Sequence, residues 1–111
     1  MIEALWSLEF ESSTQRSGNG VAVLKDGRLL GGDSMMLYDG RYTVEDGQIY
    51  ALIQVSTYAP HGDLQSTVGL SAFTLDLRGP LDDDQIDLTG FVTQDPHRKM
   101  TVHAQRRAEL D

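Results

Sequence analysis

Residues 21–42, VAVLKDGRLLGGDSMMLYDGRY, place three glycine-containing breaks within one short apolar stretch. The breaks are Asp26-Gly27, Gly31-Gly32-Asp33 and Asp39-Gly40. A nucleotide-binding loop, a metal-binding loop or a series of hairpins would each produce such spacing. The Asp-Gly pair between apolar runs favours hairpins, because a two-residue type I′ turn needs left-handed backbone at both positions. We therefore predict a tight hairpin at Asp26-Gly27, and turns or corners at the other two breaks.

The chain on both sides of this stretch alternates between apolar and polar residues, which is typical of half-buried strands. The apolar face of the first segment carries Ile2, Ala4, Trp6, Leu8 and Phe10. Residues 48–58, QIYALIQVSTY, form the longest predicted strand, in which Ile49 and Ile53 share one face and Tyr50 and Leu52 the other. Strands of this kind bury one face and leave the other in water.

The connections between strands are predicted from glycine, proline and polar clusters. Residues 12–20 and 59–63 are predicted to be loops, Asp39-Gly40 a bend or bulge, and Glu45-Asp46-Gly47 a turn. A change of apolar parity within residues 65–78 predicts a further bulge, a bend or two elements. We also predict one helical turn capped by an aspartate over residues 81–84, and a turn over residues 95–98.

The pattern as a whole predicts an all-β fold of about eight strands with no long helix. An antiparallel meander of this size can close on itself and so remove its exposed edges. We predict a small eight-stranded up-and-down barrel that forms a single domain over residues 1–111, with a β-sandwich as the alternative. The glycines are then the turns and corners of a tightly wound antiparallel sheet.

Composition excludes several classes of function. The 111 residues contain no cysteine and carry a formal net charge of −8, with 17 acidic and 9 basic residues. A protein that binds nucleic acid directly needs a basic surface, which this chain lacks overall. No apolar run approaches the length of a membrane span, and the N-terminus does not resemble a signal peptide. We expect no contact with nucleic acid or membrane.

No catalytic or cofactor motif is present. The helix that should follow Gly18-Asn19-Gly20 in a dinucleotide site is replaced by a predicted strand, and there is no phosphate-binding P-loop. His61, His97 and His103 are not spaced as metal ligands, and Ser34 is not part of a nucleophile elbow. We expect no enzymatic activity, no cofactor and no metal.

Two acidic turns are the candidate partner-binding residues, namely Glu45 and Asp46, and Asp82, Asp83 and Asp84. An acidic turn is most simply a solvated loop, but it can also guide and orient a basic protein. Apolar residues give a second candidate, because a closed eight-stranded barrel can hold one small ligand. The residues that could line such a cavity, or equally fill it, are Trp6, Phe10, Met35, Tyr50, Phe73 and Phe91. At this chain length we expect a filled or narrow interior.

The opening stretch also resembles the GrlR family of negative regulators of type III secretion genes. The resemblance rests on Gly18 and Gly20, the Lys25-Asp26-Gly27 hairpin, the Gly31-Gly32-Asp33 corner and Tyr38-Asp39-Gly40. The N-terminal strand ending at Phe10-Glu11-Ser12 is similar as well. The resemblance is specific over residues 3–58 and looser beyond them.

The resemblance implies a lipocalin-like barrel, often dimeric, in a cytoplasmic regulator that does not bind DNA. It implies a function in which the barrel binds a basic helix-turn-helix activator of transcription and thereby inhibits it. An acidic loop is implicated in that contact, and the matching loop here is Glu45-Asp46-Gly47-Gln48. The alternative is a barrel that carries a small molecule or a lipid.

Overall fold

The computed structural model describes residues 2–13, 17–58 and 72–110, and these residues form eight strands. In chain order the strands are β1 (Ala4–Ser12), β2 (Ser17–Lys25), β3 (Arg28–Gly32), β4 (Met36–Glu45), β5 (Gln48–Thr57), β6 (Ala72–Pro80), β7 (Gln85–Val92) and β8 (Asp95–Glu109). The described residues contain no helix. The predicted loop at 59–63 and the first half of residues 65–78, the segment with a predicted change of parity, lie outside the described residues.

Each strand pairs antiparallel with the next, and the last strand pairs with the first. The β1–β8 ladder runs from Ala4 opposite Glu109 to Ser12 opposite Met100, and it closes the sheet into a barrel. Closure gives every strand two hydrogen-bonded neighbours, so the sheet has no exposed edge. The predicted up-and-down barrel is therefore confirmed, and the sandwich alternative is wrong.

The strands alternate between the interior of the barrel and the solvent. In β5 the buried residues are Ile49, Ala51, Ile53 and Val55, while Leu52, Gln54 and Ser56 are exposed. The same alternation places residues from every strand in one continuous apolar interior. Successive side chains of a strand point to opposite faces, so the period of the sequence decides which residues enter the barrel.

Two of the predicted turns have the expected left-handed backbone. Asp26 and Gly27 have φ values of 51° and 79°, and Asp46 and Gly47 have values of 52° and 75°. Both φ angles must be positive for a type I′ turn to match the twist of the flanking strands. The glycines at 31 and 32 have a different role, because they lie within β3 rather than in a turn. A Cβ atom on Gly31 would lie 2.0 Å from the carbonyl oxygen of Val21 on β2.

Several local predictions are wrong. Strand β2 begins at Ser17, inside the predicted loop, and β8 begins at Asp95, inside a predicted turn. Strand β4 pairs with β3 and β5 without a shift in register, so of the predicted bend or bulge at Asp39-Gly40 the bulge is excluded. Residues 81–84 form no helical turn. At the starts of β2 and β8, pairing with neighbouring strands supplies backbone hydrogen bonds that outweigh the local preference of the residues.

We predict that Gly31→Ala destabilises the barrel by about 1–3 kcal/mol, because the added methyl group would overlap the backbone of β2 and force the strands apart. Chemical denaturation monitored by far-UV circular dichroism measures the change. The matched control is Gly47→Asn at a turn where no atom would meet the new Cβ within 4 Å. Asparagine tolerates left-handed backbone, so this variant should lose less than about 1 kcal/mol. Equal losses in both variants would contradict the role assigned to Gly31.

Candidate functional site

The interior of the barrel contains a cavity of about 460 Å³. The expectation of a filled or narrow interior is therefore wrong. Small side chains occupy inward positions on three strands, with Ala22 on β2, Ala51 on β5 and Ala104 on β8, and all three line the cavity. Larger residues at these positions would fill the space, because protein interiors otherwise pack without voids.

Trp6 lines the cavity toward the end of the barrel that carries the β6–β7 connection, and we call it the floor of the cavity. Only 1% of the Trp6 surface is exposed, and its indole Nε1–H donates a hydrogen bond to the carbonyl of Ile2 at 2.8 Å. The guanidinium of Arg106 lies 5.6 Å from the centre of the indole ring. A buried indole needs a partner for its N–H, and a cation over its face adds further attraction. Trp6 is therefore a fixed floor.

Arg106 also forms hydrogen bonds with the connection between β6 and β7. Its Nε–H donates to the carbonyl of Asp83 at 2.6 Å, and its backbone N–H donates to the carbonyl of Asp84 at 2.9 Å. A single side chain thus contacts the floor of the cavity and an acidic loop outside it.

The opposite end of the cavity is polar and reaches the surface. Ser17, Asn19 and Ser34 line the cavity there and are exposed. Asp33, in the β3–β4 connection, lines the same end, and its Oδ1 accepts hydrogen bonds from the backbone N–H groups of Met35 and Met36, both at 2.8 Å. An aspartate that binds backbone N–H groups just beyond it in this way fixes a turn. The mouth therefore carries a carboxylate in a defined position.

Tyr38 joins this carboxylate to the wall of the barrel. The Tyr38 hydroxyl donates to Asp33 Oδ2, and the ring of Phe10 meets the Tyr38 ring edge-to-face at 6.2 Å. Burial, followed by the hydrogen bond to Asp33, raises the pKa of the Tyr38 phenol far above its ordinary value. The Tyr58 hydroxyl donates to the carbonyl of Asp33 at 2.7 Å. Two tyrosines thus support the turn that holds Asp33.

Four of the six predicted lining residues do line the cavity, namely Trp6, Phe10, Met35 and Phe73. Tyr50 and Phe91 do not, because alternation places both on the outer surface of the barrel. The guanidinium of Arg78 lies 5.5 Å from the Tyr50 ring, and the Lys99 ammonium lies 5.7 Å from the Phe91 ring. The sequence alone predicts the outward position of Tyr50, because Tyr50 shares a face of β5 with the polar Gln54.

Sequence reasoning did not identify Asp33 and Tyr38 as part of the cavity. The Gly-Gly-Asp corner indicated only a break in the strand. Met36 and Tyr38 are two residues apart on β4, share the same face of the strand and are both buried. The strand period therefore predicts that Tyr38 points into the barrel. The pairing of Tyr38 with Asp33 depends on the path of the β3–β4 connection, which periodicity does not describe.

The two acidic candidates lie side by side at the end of the barrel opposite the mouth. Glu45 and Asp46 are exposed at the β4–β5 turn, and Asp82, Asp83 and Asp84 are exposed between β6 and β7. The backbone N–H of Leu81 donates to the carbonyl of Gly47 at 2.9 Å and joins the two connections. We call these five acids the acidic end.

Asp82 has a structural role within the acidic end. Its Oδ1 accepts hydrogen bonds from the backbone N–H groups of Asp84 at 2.8 Å and Gln85 at 3.1 Å. These two hydrogen bonds hold the pKa of the Asp82 carboxyl below its usual value. The predicted capping aspartate is thus present, although it closes a turn rather than a helix.

Other classes of site find no support within the described ranges. No group of three or more His, Cys, Asp or Glu residues there is arranged to hold a metal ion. Nor does that part of the chain contain a helix with the length and apolar character needed to cross a membrane.

Comparison with known proteins shows the fold. No protein-family model matches the chain. No curated protein matches it either. Among solved structures, one described as a redesigned beta barrel matches with a TM-score of 0.50 and 13% identity, covering 96% of this chain and 91% of the other. Similarity at this level of identity concerns the architecture alone.

The pKa of Tyr38 gives a pH prediction. Free tyrosine ionises near pH 10, whereas Tyr38 keeps its proton in the native barrel. The unfolded chain therefore loses a proton that the folded chain retains, and the free energy of unfolding should fall as the pH rises above about 10. We expect Tyr38→Phe to make this fall shallower, as measured by denaturation at a series of alkaline pH values.

An absorbance titration of the folded protein provides the check. Wild type and Tyr38→Phe should show the same increase in phenolate absorbance as the pH passes about 10, because burial and the hydrogen bond to Asp33 raise the pKa of Tyr38 far above its ordinary value. A smaller increase in the variant would show that Tyr38 titrates with the other tyrosines and would contradict the burial argument. Far-UV circular dichroism establishes the range in which both proteins remain folded.

Proposed function

We propose that this protein binds one small apolar or amphipathic molecule inside the barrel. The observation that carries the proposal is the cavity of about 460 Å³. Ligand sites in proteins are commonly about 300–1,000 Å³ in volume, mostly apolar, with a few placed polar groups. This cavity has the same character, with an apolar body between Trp6 and Phe73 and polar groups at one end.

The lining supports an apolar ligand on energetic grounds. Each methylene group that a ligand transfers from water into such an interior contributes about 0.8 kcal/mol. Ile53, Leu75 and Leu88 form part of the wall and belong to three different strands. Because the strands are joined by continuous ladders, the wall is formed before the ligand arrives, and little binding energy is spent on ordering it.

The single tryptophan provides a direct assay, because Trp6 lines the cavity. A ligand that enters should change the indole environment and hence the fluorescence. Titration with decanol should give a saturable change with one binding site per chain. An absence of change, together with no binding by calorimetry, would contradict the proposal.

We predict that Ala51→Phe weakens decanol binding by about tenfold or more, because the ring would occupy volume equal to at least two methylene groups of the ligand. Ala51 lies inside the barrel and lines the cavity. The matched control is Leu52→Phe on the same strand, where 54% of the side chain is exposed. The control should bind decanol as the wild type does.

The two variants together separate binding inside the barrel from binding to its outer surface. Equal affinity in Ala51→Phe, Leu52→Phe and wild type would place the probe outside the barrel. Circular dichroism and the melting temperature establish whether Ala51→Phe folds. If it does not, Ala22→Met makes a smaller change in volume at another lining position and should give a smaller loss of affinity.

A second candidate function is regulation through a protein partner, as the resemblance to the GrlR family implies. The specific observation in its favour is the acidic end, where the hydrogen bond from Leu81 to Gly47 brings two acidic connections together. A cluster of negative charges on one surface attracts and orients a positively charged partner. In this function the barrel would bind a basic helix-turn-helix activator and would not itself contact DNA.

We predict that Glu45→Gln/Asp46→Asn reduces capture of a basic helix-turn-helix protein from host lysate at low salt. The control, Glu9→Gln/Glu11→Gln, makes the same change in net charge at exposed positions on β1. Capture by wild type should fall as salt rises, because exposed charges are screened over about 10 Å at 0.1 M ionic strength. Equal capture by both variants would exclude the β4–β5 turn as the docking surface, and capture of no such protein would argue against this function.

A further inference from the structure

The carboxylate at the polar end of the cavity favours some chemical groups of a ligand over others. Asp33 is half-buried at this end, beside Asn19 and Ser34. An ionised carboxylate only accepts hydrogen bonds, and it offers about four acceptor positions on its two oxygens. A ligand group that approaches Asp33 must therefore donate a hydrogen bond, carry a positive charge, or do both.

Within the described part of the chain, the contacts of Asp33 use three of those positions. Oδ1 accepts from the backbone N–H groups of Met35 and Met36, and Oδ2 accepts from the hydroxyl of Tyr38. One acceptor position on Oδ2 thus remains for a further donor. Asp33 and Tyr38, which donates to Oδ2, both line the cavity, so we place the ligand's polar end at this oxygen.

The carboxylate is held in place by the fold. Two backbone hydrogen bonds fix Oδ1, and the Tyr58 hydroxyl fixes the backbone of Asp33 from the other side. A charge that is already oriented does not have to be ordered when the ligand binds, so more of the interaction appears as affinity. Among the described residues that line the cavity, Asp33 alone carries a charged side chain.

We propose that the cavity takes an apolar molecule whose polar end is an amine or another hydrogen-bond donor, with that end held at Oδ2 of Asp33. The apolar part then lies along the barrel toward Trp6. A ligand with a carboxylate at the same end would meet Asp33 with like charge in a partly desolvated position, which disfavours it. This inference rests on the proposed ligand-binding function and specifies which ligands are preferred.

Three probes with the same chain and different polar ends test the inference, namely decylamine, decanol and decanoic acid. Their affinities are measured by Trp6 fluorescence at neutral pH. We expect decylamine to bind about tenfold more tightly than decanol, which is the difference that a hydrogen bond to a charged group provides. Decanoic acid should bind most weakly. Decanoic acid binding as tightly as decylamine would overturn the inference without using any variant.

The variant Asp33→Asn tests whether Asp33 is responsible for the preference for decylamine over decanol. Asparagine retains an oxygen for the N–H groups of Met35 and Met36 but removes the charge, so the preference for decylamine over decanol should disappear. Affinity for decanol should change by less than about threefold, since a neutral hydrogen bond contributes little net free energy. The matched control is Asp39→Asn, which removes the same charge from an exposed position on β4. An equal loss in both variants would show that net charge, rather than Asp33, attracts the amine.

The failure of this inference differs from the failure of the proposed function. If none of the three probes binds, the ligand-binding function is wrong. If the probes bind, Ala51→Phe blocks them and decanoic acid is preferred, the function stands and the assignment to Asp33 is wrong. If Asp33→Asn fails to fold, the order of affinities in the wild type still decides the inference.

Discussion

The antiparallel ladder between β1 and β8 is the constraint on which the rest of the structure depends. It joins the two ends of the chain, from Ala4 opposite Glu109 to Ser12 opposite Met100. Without it the other seven ladders would form an open sheet with two unpaired edges and an apolar face in water. With this ladder the backbone groups of both edge strands are paired, and the apolar face of the sheet is enclosed inside the barrel. The cavity exists because closure surrounds a space that the small inward side chains do not fill.

Closure also gives the barrel two chemically different ends. The β3–β4 connection reaches the mouth of the cavity, where Asp33 and Tyr38 are joined by a hydrogen bond. The β4–β5 turn lies at the other end, together with the β6–β7 connection and the floor formed by Trp6. Connections of an up-and-down barrel alternate between its ends. The topology therefore places the acidic end and the polar end of the cavity at opposite ends of the barrel.

Arg106 contacts both the floor of the cavity and the acidic end. It lies over the ring of Trp6 and donates hydrogen bonds to the carbonyls of Asp83 and Asp84. A molecule that fills the cavity meets Trp6, and a partner at the acidic end meets the loop that Arg106 holds. The two proposed functions therefore use different surfaces of one small domain.

The sequence by itself determined the strand period, the two hairpin turns and the all-β architecture, because alternation and Asp-Gly pairs act over a few residues. It also identified four lining residues, because alternation along a strand decides which side chains face inward. The same alternation places Tyr50 outside the barrel, whereas its aromatic character had led to its prediction as a lining residue. Only the tertiary structure decided that the interior is open, that Asp33 meets Tyr38, and that the two acidic connections adjoin. These features depend on which strands become neighbours and how closely they approach, and no local pattern in a chain records distances between residues that are far apart in sequence.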